Sequence, residues 1–258
     1  MTDSITPGGR RRYEHWLFSG LALLILIEVF IGFAPSYYLA GVFFAPLPNA
    51  LVHVHGAVFT LWILLFITQT SLVAAGRTNW HRRLGMFGAV IACLVPILGV
   101  LGQTEYLSNH GALNEHDVLG NSISYAIALS DALAFAVLIG CAIWFRRSPV
   151  IHKRLALIGT LSILDAAYDR WPVPVPWWND LVTPLICTYP VLLLLMVYDR
   201  WSTRRVQPAT LWASALLVVL QQGRDPLAHT AAWQAFTQWV YVHAHGFWLF
   251  KLQHASIR

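Results

Sequence analysis

The feature that most constrains this chain is a succession of apolar runs, most close to twenty residues long and almost free of charge, separated by short arginine, aromatic or proline clusters. A helix needs about 20 apolar residues to cross a roughly 30 Å hydrocarbon layer, and in lipid it satisfies its own backbone hydrogen bonds. Repeated runs of this kind therefore predict membrane-spanning helices. Composition agrees, since only 11% of the 258 residues are charged and 57% are hydrophobic, whereas a soluble domain carries about 25% charge.

The pattern predicts an all-α polytopic membrane helix bundle, a single integral membrane domain over 1–258. Seven spans are expected, over 15–36, 50–75, 84–101, 119–145, 155–168, 181–198 and 208–221. Residues 1–14 form an N-terminal segment, 15–221 the bundle and 222–258 an outer tail. In that tail Trp233, Phe236, Trp239 and Val240 recur at helical spacing opposite Gln234, Thr237 and Gln238. This predicts a C-terminal amphipathic helix lying in the interface, with an eighth span as the alternative.

Basic residues orient the bundle. Thirteen of the 17 Lys and Arg fall on one side of the seven-span scheme: Arg10, Arg11, Arg12, Arg77, Arg82, Arg83, Arg146, Arg147, Lys153, Arg154, Arg200, Arg204 and Arg205. Positive residues are retained in the cytoplasm, so the N-terminus is expected inside. The net charge of +5 then reads as an orientation signal, with the lipid bilayer as partner and no nucleic acid. The run after Arg12 is too long for a signal-peptide core and reads as the first span. Aromatic loops, including Tyr37, Tyr38, Phe43, Phe44 and the Trp171–Trp178 stretch, suit rings at headgroup level. Cys93, Cys141 and Cys187 lie inside apolar runs without CxxC spacing, so no disulfide framework or thiolate metal site is expected.

An internal echo is visible. HRRLGMFG from His81 and HKRLALIG from His152 share His, Arg, Leu and Gly, and each opens a span from the basic side. Spans 2 and 3 then repeat as spans 4 and 5 in parallel orientation, an arrangement met in transporters.

Three segments carry a resemblance: HGAVFTLWILLFITQTSLVAAGRTNWHRRLG from His55, RRSPVIHKRLALIGT from Arg146 and QPATLW from Gln207. Together they resemble a family of multi-pass bacterial inner-membrane proteins, which implies a topology and that location but no particular activity. That family usually has HPATLW in the last segment, where this chain has Gln207. More loosely, histidines near the ends of membrane helices are similar to those of di-haem b-type cytochromes.

Candidate chemistry sorts by depth. A bis-imidazole haem b needs histidines from facing helices at one level, with basic residues near its propionates. His81 and His152 beside Arg82, Arg83 and Arg154 are candidates on the basic side, and His55 on the opposite side. Interfacial contact with lipid phosphate is the competing expectation for the basic-side pair. His55, Trp62 and Gln69 fall at seven-residue steps on one helix face and form a candidate shared site. Glu28 and Asp131 lie near mid-membrane, where an aspartate costs about 2.5–3.5 kcal/mol. No Lys or Arg is expected at their depth, which makes them candidate proton-handling groups. Asp165 and Asp169 are expected to pair locally with Arg170. The absence of P-loop, GxGxxG, nucleophile-elbow and HExxH motifs argues against nucleotide-driven or hydrolytic chemistry. Three functions remain in play: a haem-binding redox protein, a proton-coupled transporter and a non-catalytic assembly factor.

Overall fold

A computed structural model describes residues 7–46, 49–110, 115–171 and 182–244. Among the described residues the chain is all helical, with no strand. Helix α1 (Pro7–Phe33) runs into a π-helical turn (Ala34–Tyr38) and the short α2 (Ala40–Phe43). There follow α3 (Ala50–Ala74), α4 (Thr78–His110), α5 (Glu115–Trp144), α6 (Pro149–Leu161), α7 (Asp165–Tyr168), α8 (Val182–Ile186), α9 (Thr188–Thr203), α10 (Pro208–Ala228) and α11 (Ala231–Ala244).

Among the described residues five segments are long and apolar enough to cross a bilayer: Tyr13–Tyr38, Ala50–Ala74, Thr78–Asn109, Val118–Trp144 and Thr183–Thr203. Their surfaces are those of a protein dissolved in lipid. On α1, Phe18, Leu21, Ala22, Ile25 and Val29 are buried while Leu23, Leu24, Ile27, Phe30 and Ile31 are exposed. Such an apolar outer face would be an aggregation site in water. The chain is thus a multi-pass, all-α membrane protein.

Short loops make antiparallel neighbours of α3 and α4 and of α5 and α6, and these two hairpins pack on each other through α4 and α5. Helix α6 is deeply enclosed, with Arg154, Leu155 and every residue from Leu157 to Leu161 buried. Burial on all sides explains how thirteen residues hold a central place that length alone would not predict. The chain then breaks at Ser162–Leu164, where all three residues are buried and the Ser162 hydroxyl donates to the Gly159 carbonyl at 2.9 Å. Irregular backbone at this depth is tolerated only inside protein.

The echoed motifs occupy matching places. His81 and His152 each stand fourth in their helices, α4 and α6. Gly88 and Gly159 follow them by seven residues, and both lie under the preceding helix. A Cβ on Gly88 would meet Leu65 Cδ2 of α3 at 2.9 Å, and one on Gly159 would meet Ile139 Cδ1 and Leu138 Cβ of α5 at 2.8 and 3.0 Å.

Two expectations change. Helix α10 continues past 221 to Ala228, so Arg224 lies in the bundle, 3% exposed, instead of opening an outer tail. Hydropathy fades at Gln221, Gln222, Arg224 and Asp225, but the helix goes on because acids on neighbouring helices receive those groups. Asp165 pairs with Arg224 across the bundle, whereas Arg170 donates to the Ala166 carbonyl and lies over the Phe33 ring. The proline-rich stretch with Trp177 and Trp178, the side chains of Arg10–Arg12, His110 and His116, and the chain beyond 244 lie outside the described residues.

Candidate functional site

Polar groups inside the bundle collect at two levels. At the basic end, Asp199 of α9 is fully buried and accepts from Arg154 Nε at 3.1 and 3.2 Å and from Arg154 Nη2. It also accepts from the Thr210 hydroxyl at 2.5 Å and the Gln207 amide at 3.2 Å. The Gln-Pro-Ala-Thr segment that opens α10 is thereby fastened to α6 and α9 through one carboxylate. A buried ion pair of this kind is tolerated when its remaining valences are filled. Arg154 Nη1 is also engaged, donating to the Val150 carbonyl at 2.7 Å.

Further along lies a seam between α1, α5, α7 and α10. Arg224 Nη1 reaches Asp165 Oδ2 at 2.6 Å and Asp131 Oδ1 at 3.4 Å. Gln221 Nε2 donates to both oxygens of Asp165 at 3.3 and 3.2 Å. Three residues on from Asp165, on the same short helix, the Tyr168 hydroxyl donates to Glu28 Oε2 at 3.1 Å. The Trp171 indole N–H reaches the Glu28 carbonyl at 3.1 Å. Glu28 itself is 7% exposed and makes no ion pair among the described residues. The seam thus brings Glu28 and Asp131 together with two residues that sequence reasoning placed elsewhere, Asp165 and Arg224. The signal that could have found Arg224 was its spacing: Gln221 and Arg224 are three apart, on one face of an amphipathic helix that continues α10.

The row of His55, Trp62 and Gln69 points toward α4 and α5, but its members lie about 10 Å apart along the axis at 1.5 Å per residue. Each finds separate surroundings. His55 stacks on Phe59 with centroids 4.2 Å apart and contacts the Leu98 carbonyl through Nδ1 at 3.1 Å. Trp62 meets the Phe135 ring edge-on at 5.0 Å and leaves its N–H without a partner. Gln69 lies against Gly85, beside the basic-end histidines, and its Oε1 is likewise unpartnered. The Tyr37 ring covers the adjacent Gly56, where a Cβ would meet Tyr37 Cζ at 2.8 Å.

His81 and His152 do come together, with ring centroids 6.1 Å apart and planes at 79°. Their surroundings do not fit a porphyrin. Arg154 is committed to Asp199 and Val150, Arg82 and Arg83 are exposed with Arg83 over the Trp80 ring, and the Gln69 side chain closes the Gly85 face. His55 belongs to the other end of the bundle. Among the described residues no group of three His, Cys, Asp or Glu is placed to hold a metal.

No protein-family model matches the chain, and no curated protein or solved structure is similar to it.

Proposed function

We propose that this protein moves or stores protons within the membrane, using Glu28, Asp131 and Asp165 in the seam between α1, α5, α7 and α10. The observation that carries this reading is the arrangement on α7, where a single turn holds Asp165 against Arg224 and Tyr168 against Glu28. Glu28 is bonded by a neutral phenol, so a proton can join or leave it without breaking an ion pair. Arg224 Nη1 serves two carboxylates, so protonating one acid transfers its hold to the other. Ionisable groups inside a membrane domain mark ion and proton pathways, and broken helices such as α6–α7 commonly line them.

Seven crossings belong to the same proposal, with α6–α7 and α10 completing the five strongly apolar segments and α11 resting in the interface. Trp233 and Val240 of α11 pack against the α4 and α5 ends at Leu107 and Tyr125, while Trp239 and Val242 face outward. The N-terminus is placed in the cytoplasm and the protein in a bacterial inner membrane, on the distribution of arginines and the resemblance above. Haem b is the alternative reading, and the contacts of Arg154 weigh against it.

The test is a pH-difference infrared spectrum of the reconstituted protein, read in the protonated-carboxyl stretching region. A band that disappears in Glu28→Gln and shifts in Asp131→Asn is expected, with slowed dye-reported proton flux in vesicles. Superimposable spectra from wild type and both variants would refute the proposal. A reduced-minus-oxidised visible spectrum of the same preparation decides the haem alternative.

A further inference from the structure

We infer that the basic end of the bundle holds a single divalent transition-metal ion between His81 of α4 and His152 of α6, with the Gln69 side-chain oxygen of α3 as a third donor. The argument begins with hydrogen-bond bookkeeping. A carbonyl can only accept, so His152, whose Nδ1 is 2.8 Å from the Ala142 carbonyl, carries its proton there and presents a lone pair on Nε2. His81 has Nδ1 buried and without a partner. With its proton on Nε2, His81 presents a lone pair at that buried Nδ1. The Gln69 Oε1 is likewise buried and without a donor.

Two buried side-chain atoms without partners, His81 Nδ1 and Gln69 Oε1, are costly inside a protein. A cation bound by these two atoms and by His152 Nε2 removes both penalties together. His152 also shows the support seen in metal sites, where one nitrogen donates to a backbone carbonyl and fixes the ring while the other ligates.

Spacing agrees. With metal–nitrogen bonds of about 2.0–2.1 Å, two imidazoles on one ion have ring centres between about 5 Å apart in tetrahedral and about 6.4 Å in linear geometry. The observed 6.1 Å lies in this interval. Two neutral nitrogens and an amide oxygen suit zinc, copper or nickel better than magnesium or calcium, which favour carboxylates. Water fills the remaining position. Nearby positive charge is largely answered, since Arg154 pairs with Asp199 and Lys153 with Glu14, while Arg82 and Arg83 are exposed. The ion would tie the α3–α4 hairpin to α6 at the two echoed histidines, and it stands independently of proton handling in the seam.

The test uses the full chain, purified without a histidine tag and stripped by chelator, and titrated with Co2+ at pH 7.5. One Co2+ per chain with visible ligand-field bands is expected. His81→Ala and His152→Ala should each weaken binding at least about tenfold, and Gln69→Leu to a lesser degree, while His53→Ala and His229→Ala leave it unchanged. A second measurement needs no variant: saturating Zn2+ should protect His81 and His152 from acylation by diethyl pyrocarbonate, read by mass spectrometry. Absence of stoichiometric binding, binding indifferent to both histidine substitutions, or acylation unaffected by Zn2+ would each overturn the inference.

Discussion

Replacing Arg154 by methionine keeps an unbranched apolar stem and removes the charge, leaving Asp199 fully buried with only Thr210 and the Gln207 amide as donors. Breaking one side of a buried ion pair costs about 3–5 kcal/mol, because the stranded charge is not returned to water. Two hydrogen bonds remain on the carboxylate, so the loss for Arg154→Met falls near the lower figure, about 3 kcal/mol. Asp199→Leu strands a guanidinium held only by the Val150 carbonyl and also frees Thr210 and the start of α10, so it falls nearer about 5 kcal/mol. The double variant removes both charges and should lose about 2 kcal/mol less than the sum of the single losses, within the range for residues in direct contact. The assay is reversible unfolding in mixed micelles with increasing SDS, followed by tryptophan fluorescence. An Arg154→Met protein within 1 kcal/mol of wild type, or a strictly additive double variant, would refute the reasoning that this pair fastens α6 to α9 and α10.

Other outcomes follow from single contacts. Gly32→Ala should destabilise by about 1–3 kcal/mol, since the new methyl would overlap the Ala167 main chain and meet its Cα at 2.9 Å; Gly20→Ala, with nothing within 4 Å, is the neutral control in the same thermal melt. Asn49→Ala should lose about 1 kcal/mol, because Asn49 caps α3 through the Val52 amide at 2.9 Å and also donates to Glu105 at 2.5 Å; asparagine-to-aspartate should restore the cap but set two acids together. Arg224→Met should destabilise more than Glu28→Gln in SDS unfolding, because it strands Asp165 and Asp131 together, whereas the amide at 28 still accepts from Tyr168.

Periodicity and length determined much of this protein by themselves. Runs such as 15–36 and 50–75 had to become helices because lipid offers the backbone no other partner. Glu28 and Asp131 could be singled out for the same reason, as acids in segments where charge is costly. The echo of His81 and His152 was also legible, and the structure puts both at the fourth position of their helices with glycines under a neighbour seven residues later.

What the sequence could not state was which distant groups share a partner. Local order suggested Asp165 with Arg170, five residues on, but the carboxylate turns inward and meets Arg224, 59 residues away. Arg154 looked available for an external anion because its neighbours are basic, yet its partner Asp199 arrives from a helix 45 residues later. Those pairings follow from where α6, α9 and α10 cross. Hydropathy measures how each segment partitions into lipid, while the cost of an uncompensated buried charge selects among packings once the segments are inside, and only the tertiary structure records that second selection.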